Sequence, residues 1–163
     1  MTIILTILRK SALLPKKEAM FALNRVSMRD TLVYLFLLFF LSFLPNVIVI
    51  IRNFEQGESH ISFSQYLLQI IVFYPFFMLF IIVTGISLIT LGSSVLTYIL
   101  QRKLAYQQLW KMTAFALLWP LIIYHLLFFT PLSTSVAFMI GLFVLYILMF
   151  QMILHYPKKR WKQ

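Results

Sequence analysis

Apolar residues along this chain come in three long runs separated by short charged stretches. No Asp, Glu, Lys or Arg occurs in 31–51, 61–101 or 112–157. The first run, 21 residues, makes a helix of roughly 31 Å, the thickness of a bilayer's hydrocarbon core, and predicts one span. The last run, 46 residues, contains Thr130, Pro131, Leu132, Ser133 and Thr134. That polar turn divides it into spans near 112–129 and 134–155, a helical hairpin. The middle run of 41 residues has two solutions. Either two short helices meet near Thr84 and Gly85, or one span from about Pro75 to Leu100 follows an interfacial segment over Gln65 to Tyr74.

Charge separates these alternatives. The segment to Asp30 carries +4, residues 52–60 carry −1, Arg102, Lys103 and Lys111 give +3, and Lys158, Lys159, Arg160 and Lys162 give +4. Short loops rich in Lys and Arg stay in the cytoplasm. Four spans put all three basic segments inside and both the acidic loop and the 130–134 turn outside; five spans divide the basic clusters between the two sides. The expected fold is therefore an all-α membrane protein, a polytopic bundle of about four transmembrane helices, with five as the alternative. It sits in a bacterial cytoplasmic membrane with both termini cytoplasmic. The division is 1–30, cytoplasmic basic interfacial helices; 31–157, the bundle; and 158–163, a basic tail. Residues 2–14 and 16–24 suit amphipathic helices on the membrane surface, with Ile4, Leu8, Ala19, Met20 and Phe21 dipping into the interface. Pro45 and Asn46 predict a kink in the outer third of the first span. The run from Ile3 to Leu8 is too short for a signal-peptide core and precedes its basic residues, so the first span is expected to act as an uncleaved anchor.

Composition agrees with this solvent: 62% of residues are hydrophobic, well above the roughly half of soluble chains. The net charge of +10 flanks the apolar runs instead of forming a basic face, which excludes nucleic acid and points to anionic lipid headgroups as a partner, at about 1 kcal/mol per basic residue.

Three groups are candidate sites. Ser87, Thr90, Ser94 and Thr97 recur at helical spacing with Gly85 and Gly92 nearby, forming a seam for helix packing or for a partner. Lys103, Tyr106, Trp110 and Lys111 suit an aromatic anchor at the inner interface or a cytoplasmic docking face. Asn46 and His125, with Gln69 and the prolines, are candidate cavity residues. Catalytic apparatus is not visible. All four acidic residues lie outside the apolar runs, so no carboxylate can serve acid–base or nucleophilic chemistry inside the bilayer. Of the three histidines, His60 and His125 could approach each other at the outer side, but two histidines without a nearby carboxylate make a poor metal site, and His155 lies apart at the end of the fourth span. There is no cysteine and no nucleotide or zinc-protease motif, so no cofactor is expected.

Leu14-Pro15-Lys16-Lys17 followed by Phe21 and by Tyr34 to Pro45, together with Leu104-Ala105-Tyr106-Gln107-Gln108-Leu109-Trp110-Lys111-Met112-Thr113-Ala114-Phe115-Ala116 before Pro120, resembles a family of Gram-positive membrane proteins. These are labelled maltodextrin-utilisation proteins and are distantly related to Yip-type helical membrane proteins. The resemblance covers about two thirds of the chain. It implies a helical, non-enzymatic membrane protein, sometimes associated with sugar-uptake operons. Typical members carry a sizeable extracytoplasmic region between the first two spans, where this chain has only Arg52 to Ser64. The leading functional expectation is an accessory or scaffold subunit bound to another integral membrane protein, such as an ABC-type transporter, or to further copies of itself. The alternative is a small transporter, channel or substrate-binding component.

Overall fold

The computed structural model describes residues 2–55, 62–128, 130, 131 and 133–158. His60 lies outside them, as do the side chains of Asn46 and Gln69. Among the described residues eight α-helices follow one another: α1 (Thr2–Ala12), α2 (Lys17–Asn24), α3 (Met28–Glu55), α4 (Phe63–Leu68), α5 (Tyr74–Ile99), α6 (Tyr106–Ala116), α7 (Leu118–Phe128) and α8 (Thr134–Leu154). A π-helical turn, Gln69–Phe73, joins α4 to α5. Among the described residues the sole β-type pairing is an isolated antiparallel bridge between Arg102 and Lys158. Three helical stretches among the described residues are long and apolar enough to span a membrane: Ile70–Ile99, Tyr106–Leu127 and Thr134–Leu154.

Local chemistry explains where these helices start and stop. At the start of α3, Ser27 Oγ accepts the Asp30 N–H at 3.0 Å, and the acid in the first turn complements the helix dipole. The π-helical turn contains Ile71, the residue four before Pro75, which lacks an N–H and crowds that carbonyl, so the chain widens there. Helix α5 runs unbroken through Thr84 and Gly85, so the alternative of two short helices meeting at those residues does not form. Within an apolar run, continuing the helix keeps every backbone bond internal. The helix that enters the span near 112–129 begins at Tyr106, and Lys111 does not end it. The break comes instead at Leu117 between α6 and α7, where the Pro120 N–H that would reach Ala116 is missing.

The chain divides into two compact units, Met1–Tyr34 with Ile86–Gln163, and Leu35–Gly85. In the first, α7 and α8 form the most extensive helix pair, the expected hairpin. Gly141 of α8 faces Pro120 of α7, and a Cβ there would make an ordinary contact 3.6 Å from the Pro120 carbonyl oxygen. Helices α1 and α2 pack on each other, α2 also on α6, and α1 on α7. Ala19 and Met20, expected at the membrane interface, are instead buried with Ile7 and Leu23, while Leu8 and Phe21 stay exposed. The Tyr34 ring lies 5.5 Å from Phe115, and Met149, Met152 and Ile153 of α8 are fully enclosed.

The second unit is rich in phenylalanine. Phe36 with Phe40 and Phe39 with Phe43 stack one turn apart along α3. Tyr74 meets Phe43 edge-on at 6.5 Å, and its hydroxyl donates to the Phe43 carbonyl at 3.5 Å.

Candidate functional site

The hydroxyl seam of α5 is engaged within the chain. Thr90 is fully buried and its hydroxyl lies 2.7 Å from the Ile86 carbonyl and 3.3 Å from the Thr113 hydroxyl of α6. Thr113 Oγ1 in turn approaches the Leu109 carbonyl at 2.9 Å and the Met149 sulfur at 3.7 Å. The two hydroxyls hold one proton each, so the bond between helices forms when one of them releases its own helix carbonyl. Ser87 Oγ accepts the Trp110 indole N–H at 3.2 Å, and the Ser87 carbonyl accepts the Tyr106 hydroxyl at 3.2 Å. Gly92 faces Tyr146 of α8 so closely that a Cβ would meet the phenol oxygen at 2.5 Å. The rest of the seam behaves differently. Ser94 and Thr97 return their hydroxyls to the Thr90 and Ser93 carbonyls of their own helix, and a Cβ on Gly85 would touch nothing within 4 Å. Ser93 belongs to the buried face with Thr90 and Thr97, although the expected four-residue pattern omitted it.

The aromatic and basic group also divides. Trp110 is buried, whereas Tyr106 and Lys103 are exposed. The indole therefore packs inside the bundle instead of presenting a face. Lys111 has a role its spacing did not suggest: its ammonium donates to the Asn24 carbonyl at 2.5 Å and the Val26 carbonyl at 3.0 Å. A cation on these last carbonyls closes the C-terminal end of α2 and offsets the negative end of the helix dipole. Trp119 treats α1 similarly, its indole N–H donating to the Ala12 carbonyl at 3.2 Å. Side chains of α6 and α7 thus cap both amino-terminal helices. No local sequence pattern identifies such caps, because donor and acceptor lie far apart along the chain.

A third cluster joins the ends of α5 and α8. Helix α5 closes with Gln101 at φ 51, the Gln101 N–H on the Tyr98 carbonyl and the Arg102 N–H on the Thr97 carbonyl, both at 3.1 Å. This is the Schellman arrangement, which reverses the chain. Arg102 then pairs with Lys158, the Lys103 N–H donates to the Pro157 carbonyl, and the Arg102 guanidinium donates to the Tyr156 carbonyl. The Tyr156 hydroxyl accepts from the Asn24 amide at 3.3 Å, and its ring lies 5.5 Å from Phe21. Burial raises this phenol above its ordinary pKa of 10.0.

Two cavities bear on the transport alternative. An open, largely apolar groove of about 480 Å³ is lined by Gln65, Leu68, Phe73, Tyr74 and Phe77. A crevice lined by Leu14, Met20, Asn24, Phe115 and Met152 has no room for water. His125 lines neither; its Nδ1 lies 2.8 Å from the Leu121 carbonyl, one turn back on its own helix. Among the described residues no group of three or more His, Cys, Asp or Glu side chains is placed to hold a metal ion.

Compared with protein-family models, curated proteins and solved structures, the chain matches none of them.

Proposed function

We propose that this protein is a non-catalytic accessory or scaffold subunit of a bacterial cytoplasmic-membrane complex, partnering another integral membrane protein such as an ABC-type sugar transporter. The observation that carries the reading is the engagement of the polar groups in the apolar helices. The hydroxyls of Thr90 and Thr113, the Trp110 indole and the Lys111 ammonium are all directed to partners in the same chain. None is presented to a polar passage, and the ionisable groups that proton relays and ion sites use are missing from the charge-free runs apart from His125 and His155. The outward faces of α5 and α8 carry large apolar side chains, among them Phe76, Phe80, Leu88, Phe138 and Phe143, suited to lipid and to a neighbouring helix.

Four spans accompany this reading: the charge-free part of α3 joins the three apolar helices already described, and the basic segments and both termini lie in the cytoplasm. Cysteines introduced as Ser59→Cys and Lys103→Cys in this cysteine-free chain test the topology. Labelling from opposite sides is expected, and labelling of both from outside overturns it. Purification in mild detergent followed by mass spectrometry tests the function. A stoichiometric membrane partner or a defined homo-oligomer is expected, and recovery of a lone monomer under several gentle conditions refutes the subunit role. Solute flux through the purified protein in vesicles would establish the transport alternative instead.

A further inference from the structure

We infer that the clasp between the ends of α5 and α8 is a specific site for the headgroup of an anionic phospholipid. Three cations, Arg102, Lys103 and Lys158, are held on two backbone segments paired by the bridge and by the Lys103 to Pro157 bond. The sole ion pair among the described residues joins Arg29 to Asp30, so the clasp's charge meets no carboxylate there. The guanidinium is oriented through its Nη1 on the Tyr156 carbonyl, while its Nε–H is shielded from solvent and has no acceptor. A buried donor without an acceptor is costly, so the guanidinium gains by turning toward an incoming oxygen anion. Lys103 and Lys158 are exposed, as a charged ligand requires.

The neighbouring surface selects a lipid over a free anion. Tyr98 and Ile99, directly before the clasp, are 81% and 67% exposed, and Leu154 at the end of α8 is also exposed. An acyl chain can run along these side chains while the phosphate sits between the cations, giving apolar burial and charge pairing in one ligand. A free phosphate gains only the second.

This inference rests on the membrane reading above but not on its orientation. The test uses the full chain in nanodiscs of one symmetric composition, with native mass spectrometry counting retained phosphatidylglycerol against phosphatidylcholine. Lys103→Gln and Lys158→Gln change exposed side chains and leave the backbone pairing in place. Each is expected to weaken phosphatidylglycerol retention about fivefold and their combination about 25-fold, with phosphatidylcholine unaffected. Lys16→Gln combined with Lys17→Gln, the same charge change at the far end of α2, is expected to alter retention less than twofold. Equal losses from both pairs would overturn the site in favour of diffuse attraction. Displacement of the lipid by millimolar inorganic phosphate would overturn the choice of lipid. Reversed topology leaves this measurement intact and is detected by cysteine labelling, whereas a chain that does not enter nanodiscs fails the membrane reading itself.

Discussion

Lys111 makes a quantitative claim about how the amino-terminal helices are held. Replacing it with Met keeps most of the aliphatic stem and removes both ammonium bonds, to the Asn24 and Val26 carbonyls. Hydrogen bonds to a charged group contribute about 1.5–3 kcal/mol each when water is excluded, and a cation at a helix C-terminus adds about 0.3–1 kcal/mol. Lys111 is only partly buried, so water replaces much of what is lost, and the expected net cost is about 2 kcal/mol. Because α2 is short and ends at these carbonyls, the cost should fall on its docking. At about 1.4 kcal/mol per tenfold, local opening of α2 rises about 30-fold. Hydrogen exchange read by mass spectrometry over residues 17–26 in detergent micelles measures this directly. Lys103→Met, an exposed neighbour, serves as the control with less than twofold change. The reasoning is refuted if α2 exchanges in Lys111→Met as it does in the control, or if protection falls equally in α2 and α8, which would mean the ammonium supports the whole bundle and not this helix end.

Other features give separate tests. Gly92→Ala brings a Cβ against the Tyr146 phenol oxygen, so Gly92→Ala and Tyr146→Phe should be coupled by about 1 kcal/mol in a double-mutant cycle of thermal stability, the second change relieving the first. Gln101 occupies the left-handed region, which costs a side-chain-bearing residue about 1 kcal/mol; Gln101→Gly should raise the denaturation midpoint, and a lowered one would contradict the Schellman closure. The Tyr156 phenol is raised above 10.0 by burial, so the folded chain holds that proton more tightly than the unfolded chain. Its contribution is fully present below pH 10 and lost as pH climbs through the folded value, and Tyr156→Phe should make stability above pH 10 fall less steeply.

The charge-free runs alone determined that the chain is built of apolar helices, because runs longer than a bilayer's thickness without a charge leave few other solutions. They also placed the turn between α7 and α8, since Thr130, Pro131 and Ser133 interrupt an otherwise apolar pattern. Periodicity showed that α5 carries hydroxyls on one face, but it did not show which of them touch another helix. Ser87 and Thr90 meet α6, while Ser94 and Thr97 bond their own helix. That division depends on which neighbour lies opposite each turn. Lys111 is the clearest case of what tertiary structure decided. In the sequence it reads as a cation beside an interfacial aromatic anchor, on the helix entering the span near 112–129. In the fold it lies inside α6, because carbonyls of α2, more than 80 residues away in the chain, supply the partners its charge needs. A run of residue types records how much apolar surface must be hidden, and where. Which polar group answers which is settled only when distant segments are brought within hydrogen-bonding distance.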